Sequence, residues 1–133
     1  MTITATKLSN AKEIGHMMGK HLIALDINTN FTPSLDINNN PNNPIIGIRS
    51  FSDKERIVSK FRIEMIKGMQ EEGLIVGPKH FPGHGTKEID SHLGLPILNF
   101  GKKRLYSFEL KPFKKAINNR IKNIMTAHII LKK

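Results

Sequence analysis

Leu74-Ile75-Val76 is a run of three apolar residues shut in by Gly73 on one side and Gly77-Pro78 on the other. It is too short for a helix and shows no polar alternation, so it reads as a strand buried on both faces, as in parallel sheets. Ahead of it, Ile57, Val58, Phe61, Met65 and Met69 recur at helical spacing, stop before Gly73, and follow Ser52 and Glu55 in a capping-box pattern. The same order of helix and buried strand is legible on either side. Ser9 or Asn10 is placed to cap a helix that carries Ile14, Met17, Met18, Leu22 and Ile23 on one face and ends near Leu25. Ile27, Phe31, Leu35 and Ile37 then alternate with polar residues as a strand. It runs into the Asn- and Pro-rich residues 38–44, which continue neither strand nor helix. Later, Leu105, Phe108, Phe113 and Ile117 predict a third helix, and residues 124–129 another buried strand. Strands alternating with helices over short links imply right-handed crossovers and a parallel sheet, an α/β fold.

Composition narrows the function more than the fold. The 133 residues, 38% of them hydrophobic, suit a single domain with a real core. Against 11 acidic residues stand 21 Lys and Arg, a net charge of +10. A polyanion partner would fit that balance, but the basic residues are scattered, with one Tyr and no Trp for stacking on bases. A solvated basic surface is the better reading, and no nucleic-acid partner is expected. With no cysteine there is no disulfide framework, thiolate metal site or cysteine nucleophile, which suits a reducing compartment. The first ten residues lack a signal-peptide pattern, and no segment reaches the roughly 18 apolar residues of a membrane span. A cytoplasmic chain with no membrane partner is expected.

The chemistry concentrates after the short apolar run. His80, His84 and His92 lie within thirteen positions that also hold Pro82, Gly83, Gly85 and Asp90, a loop at the C-terminal end of a strand. A metal site is disfavoured by spacing: His80 and His84 would face alike on a helix, and Pro82 with two glycines forbids one. Asp90 and His92, two apart in an extended loop, fall on the same side, so the carboxylate can accept from the imidazole. Two uses remain open for such a pair. It can shuttle a proton to a leaving oxygen and back from water, or it can simply staple the loop.

The Asn-Pro-Asn-Asn-Pro loop, Arg49-Ser50-Phe51, the run from Lys79 to Gly85 (Lys-His-Phe-Pro-Gly-His-Gly), Asp90-Ser91-His92 and the strand around Met125 together resemble the bacterial β-N-acetylglucosaminidases of glycoside hydrolase family three. The resemblance implies a (β/α)8 TIM-type barrel, of which residues 1–133 would be part of the N-terminal catalytic domain, since such a barrel takes about 250 residues. It implies His92 as proton donor and acceptor with Asp90 as its partner. Arg49, Lys79 and His80 would be contacts to the sugar hydroxyls. It implies no cofactor and no metal, and a terminal N-acetylglucosamine on a glycan or muropeptide as substrate.

In that family an aspartate in a Ser-Asp context on a later strand attacks the anomeric carbon, and no residue here matches it. Ser52-Asp53 has the letters but stands at a helix start and reads as a cap. Two departures from the family's pattern are Thr86-Lys87 after the histidine loop and Gly77-Pro78 before Lys79. A part-barrel leaves open sheet edges, so the chain is expected to be unstable alone or to need a second chain that completes the barrel. The competing expectation is a carbohydrate-binding remnant without hydrolysis.

Overall fold

A computed structural model describes residues 7–43, 46–84, 97–98 and 100–131. Along the chain run α1 (Leu8–Ala24), β1 (Thr29–Asn30), a 3-10 turn (Gly47–Arg49), α2 (Glu55–Glu71), β2 (Ile75–Val76), β3 (Ile97–Leu98), α3 (Lys102–Ser107), α4 (Lys111–Asn118) and β4 (Ile130–Leu131). Among the described residues no helix is long and apolar enough to cross a membrane.

Both long helices end in the same way, and each ending launches a strand. After α2 the Gly73 N–H donates to Gln70 O and the Leu74 N–H to Met69 O, with Gly73 at φ +86°. After α1 the Asp26 N–H donates to Ile23 O and the Ile27 N–H to Leu22 O, with Asp26 at φ +58°. A left-handed residue with these two bonds closes the orphan carbonyls of a helix and reverses the chain onto its own apolar side. β1 and β2 then pair in parallel, Thr29 with Ile75 and Asn30 with Val76. A parallel bridge from Ser34 to Lys79 prolongs that ladder.

On the opposite edge of the β2 segment, Phe81 bridges Thr126 in parallel, and Met125 donates to Pro78 O. β3 pairs in parallel with β4, Ile97 with Ile130. β1, the β2 segment and the last strand thus lie side by side, with β3 paired to that last strand, and every pairing is parallel, which makes the chain part of a TIM-type α/β barrel. The proline in the middle of this sheet is accommodated by alternation. Ile75, Gly77 and Lys79 donate toward the β1 side, to Asn28, Asn30 and Pro33, and Pro78 falls on the other side, where its carbonyl still serves Met125.

The core lies between sheet and helices, where Leu35, Ile63, Ile66, Met69, Leu74, Val76, Phe113 and Ala116 are buried together. The predicted apolar face of α1 is only half right. Ile14, Met18 and Leu22 pack against that core, but Met17 and Ile23 are exposed. The buried seam is instead Ala11, Gly15 and Gly19, lying along α2. A Cβ on Gly15 would strike the Met65 carbonyl, and one on Gly68 the Lys12 carbonyl. The contacts advance together along both helices, so α1 and α2 run parallel with touching backbones. An ion pair from Lys12 to Glu71 (2.8 Å) and a hydrogen bond between His16 Nδ1 and Glu72 (2.7 Å) flank the seam.

Other sequence expectations shift for local reasons. Neither long helix has a side-chain cap at its N-terminus. Glu55 takes the Ser59 hydroxyl at 2.9 Å instead of closing a capping box, while Ser52 Oγ accepts the Lys54 N–H at 3.1 Å just before α2. The strand expected from Ile27 to Ile37 is ladder-paired only at Thr29–Asn30 and at Ser34, with Pro33 between them. The third helix is two, because Pro112, in the first turn of α4, has no N–H to continue the preceding helix. The last strand bridges at Thr126 and then pairs at Ile130–Leu131, further along than residues 124–129.

Because the seam leaves no room for a methyl group, Gly68→Ala is expected to lower stability by roughly 2 kcal/mol or more, as overpacking of backbone against backbone does. Gly101→Ala, where a Cβ meets nothing, should change it by less than about 0.5 kcal/mol. Urea unfolding of the two variants checks the difference.

Candidate active site

Strand alternation sends Leu35 and Ile37 to opposite sides from Asp36, which is nonetheless 1% exposed. A carboxylate so buried must be compensated by donors. Its Oδ2 accepts from the Ser34 hydroxyl and from His80 Nδ1, each at 2.7 Å. Its Oδ1 accepts from the His84 backbone N–H at 2.7 Å, and the His80 N–H lies across both oxygens at 3.4 and 3.2 Å. Burial alone would push the Asp36 pKa up. The His80 hydrogen bond and charge, the Ser34 hydroxyl and the His84 N–H outweigh it, so the carboxyl titrates below its ordinary value.

The ladder between strands sets this geometry. Lys79 N–H donates to Pro33 O and Leu35 N–H to Lys79 O, which brings Asp36 level with His80. The Lys79–His80 peptide is cis. Beyond it Gly83, at φ +131°, turns the chain so that His84 N–H comes back to Asp36, a conformation that favours glycine. The His84 ring is buried and stands edge-on to the His80 ring, centroids 6.1 Å apart.

Arg49 reaches the same place through the main chain. Ser50 Oγ donates to the Asp36 carbonyl at 2.7 Å and accepts from the Asn38 N–H at 3.3 Å, so the turn bearing Arg49 is tied to the backbone of Asp36. From α2, Arg62 donates to the Arg49 carbonyl at 2.6 Å and lies 4.8 Å over the Phe51 ring, which stacks on Phe61. Burial lowers the Arg62 pKa to about 10, with Asp36 opposing, so it stays charged at neutral pH. The Asn-rich loop is anchored too, since the Asn43 amide donates to His84 O at 2.9 Å. Lys79 is half-buried. Burial first, and then the Arg49 charge, lower its pKa, with Asp36 opposing. The two cations are therefore close enough to feel each other.

Arg49, Lys79 and His80 thus gather around Asp36 at the C-terminal end of a parallel strand, where TIM-type barrels carry their sites. Asp90 and His92 lie outside the described residues. Asp36, Ser50 and Arg62 were not singled out by the sequence as site residues. For Asp36 the pattern carried no separate signal, since a polar residue between Leu35 and Ile37 fits the alternation expected of that strand.

A parallel barrel segment with cationic and imidazole groups converging at its strand ends is the kind of framework on which TIM-type barrels carry active sites. Residues 1–133 match the sequence profile of the glycosyl hydrolase family 3 N terminal domain, and the chain belongs to that family. It is 41% identical to beta-hexosaminidase A of Pseudoalteromonas piscicida over 96% of this chain and 20% of that protein. With the beta-hexosaminidase of Haemophilus influenzae (strain PittEE) the identity is 40%, over 97% of this chain and 37% of that protein. Among solved structures it is similar to a family 3 beta-N-acetylglucosaminidase from Paenibacillus sp. str. FPU-7, with TM-score 0.92 and 44% identity over 96% of this chain and 24% of that one. It is also similar to NagZ from Neisseria gonorrhoeae in complex with N-trifluoroacetyl-D-glucosamine, with TM-score 0.88 and 33% identity over 93% of this chain and 36% of that one. The chain spans between a fifth and somewhat over a third of the length of these relatives.

The Asp36 hydrogen bonds carry a pH signature. A carboxyl with a depressed folded pKa stabilises the fold above its unfolded value and loses that contribution as pH falls through the folded one. Asp36→Asn should cost about 2 kcal/mol at neutral pH, and its deficit against the wild type should shrink below about pH 4. Denaturant midpoints measured from neutral to acid pH check this.

Proposed function

We propose that this chain forms the sugar-gripping and proton-transferring part of a retaining β-N-acetylglucosaminidase that removes terminal N-acetylglucosamine from a glycan or muropeptide. The observation that carries the reading is the convergence of Arg49, Lys79 and His80 on the buried Asp36 at the strand ends. Relatives named beta-hexosaminidase and beta-N-acetylglucosaminidase, together with the similar NagZ solved in complex with N-trifluoroacetyl-D-glucosamine, support the substrate class. Charged and imidazole groups fix a neutral sugar by directional hydrogen bonds, and the backbone ties to Asp36 hold them at fixed separations. His92 is assigned proton transfer to the departing oxygen and from water, and Asp90 orients its ring. A cytoplasmic setting suits a chain without cysteine.

Retaining hydrolysis also needs a carboxylate that attacks the anomeric carbon. No residue of this chain is assigned that role. The barrel is completed, on this reading, by further polypeptide that supplies the remaining strands and the aspartate. A second reading, resting on the same convergence of Arg49, Lys79 and His80, is a unit that binds the sugar and does not hydrolyse it.

Assay with an aryl β-N-acetylglucosaminide separates the two. The chain alone should release no aryl alcohol. Joined to the remaining barrel strands of a relative it should turn over, and His92→Ala in that assembly should lower kcat by about 100- to 10,000-fold. Sugar binding without turnover in the joined protein would favour the binding unit, and turnover by the chain alone that His92→Ala abolishes would show that its nucleophile is internal.

A further inference from the structure

We propose that Asp36 is a positioning residue that keeps the proton of the neutral His80 ring on Nδ1, so that Nε2 meets the sugar as a hydrogen-bond acceptor beside the Lys79 donor. This deepens the sugar-contact reading of His80 and rests on it.

A neutral imidazole has one N–H, and its place decides which nitrogen donates and which accepts. His80 Nδ1 lies 2.7 Å from Asp36 Oδ2. An ionised carboxylate only accepts, so the ring nitrogen facing it must carry the proton. Besides the Ser34 hydroxyl, two donors on Asp36 are of a kind that cannot reverse: a backbone N–H from His84 on Oδ1 and the backbone N–H of His80 across both oxygens. These hold the carboxylate in one orientation, and hydrogen bonds to an ionised carboxylate favour its charge.

Asp36 itself keeps no accessible side-chain surface, while 19% of the His80 side chain remains exposed. The ring is therefore what a ligand can reach, and the carboxylate acts through it. With Nδ1 engaged, the remaining polar atom of the neutral ring is Nε2, an acceptor. Lys79, the preceding residue, has an ammonium that only donates. One donor beside one acceptor suits hydroxyl groups, each of which both gives and takes a hydrogen bond. Two adjacent donors would suit an anion instead. Asp36 thereby turns a cationic corner of the protein, where Arg49 and Lys79 already feel each other, toward a neutral polyol.

The substitution Asp36→Asn has a forced outcome. Its Oδ1 must occupy the position that meets the His84 N–H, because an amide NH2 there would face another donor. The Nδ2 group then falls where Oδ2 was, against His80 Nδ1 and the Ser34 hydroxyl, which can accept, and the His80 N–H keeps Oδ1 as its acceptor. His80 must accept at Nδ1 and move its proton to Nε2. The same logic underlies the wrong-tautomer effect of replacing the aspartate of a catalytic triad by asparagine.

The test is magic-angle-spinning 15N NMR of the chain labelled at histidine, above the imidazole titration, with His80 assigned by loss of its signals in His80→Gln. The measurement tolerates self-association. Expected are the Nδ1–H form in the wild type, its inversion to Nε2–H in Asp36→Asn, and no change in Ser34→Ala, which keeps the carboxylate. Titration with N-acetylglucosamine, followed by saturation-transfer NMR, should show affinity roughly tenfold weaker for Asp36→Asn. A wild-type ring protonated on Nε2, or an Asp36→Asn ring unchanged from wild type, overturns the proposal. So does an inverted ring with undiminished sugar affinity. If Asp36→Asn does not fold, the wild type and Ser34→Ala decide, Nδ1–H in both supporting the assignment. A wild-type chain with the Nδ1–H ring that binds no sugar leaves the Asp36 assignment standing and sinks the sugar-contact role of His80 instead.

Discussion

The Asp36 carboxylate, buried and filled by the Ser34 hydroxyl, the His80 ring and two backbone N–H groups, joins segments that are far apart in the chain. Its side chain holds the residues after β2, and its main-chain carbonyl holds the turn that bears Arg49. A charge removed from water is tolerable only while such donors are in place. The relative placement of Arg49, Lys79 and His80 therefore depends on the integrity of one junction, more than on each residue's own contacts.

That junction needs a rigid support, and the helix layer supplies it. α1 and α2 approach until glycine backbones touch, which sets the distance between two successive helix and strand units with little freedom left. Their ends are closed by the same pair of bonds, so each strand starts at a defined point after its helix. From α2, Arg62 passes under the Arg49 turn and stacks on Phe51. The helix that packs the core also braces the turn that bears Arg49.

Electrostatics at the site are arranged in opposition. Burial and then the Arg49 charge lower the Lys79 pKa, while Asp36 favours the charged form. Arg62 adds a further buried cation that feels Asp36. One buried anion thus serves several cationic or protonated groups that face the strand ends, an arrangement suited to gripping hydroxyl groups.

The sequence by itself determined the alternation of helices with short apolar strands and hence the parallel α/β class, because hydrophobic period and glycine stops are local properties that survive without tertiary context; it did not determine burial on both faces, since Ile75, Ile130 and Leu131 are exposed. It also marked Arg49-Ser50-Phe51 and Lys79-His80, through their resemblance to the motifs of glycoside hydrolase family three. Only the tertiary structure decided that the close face of α1 is Ala11, Gly15 and Gly19 instead of a full apolar stripe. Small residues show no hydrophobic signal, and their meaning lies in what the neighbouring helix brings against them. Only the tertiary structure, likewise, singled out Asp36. Its partners His80 and His84 lie 44 and 48 residues away, and a carboxylate's donors are set by strand register, which no local pattern encodes.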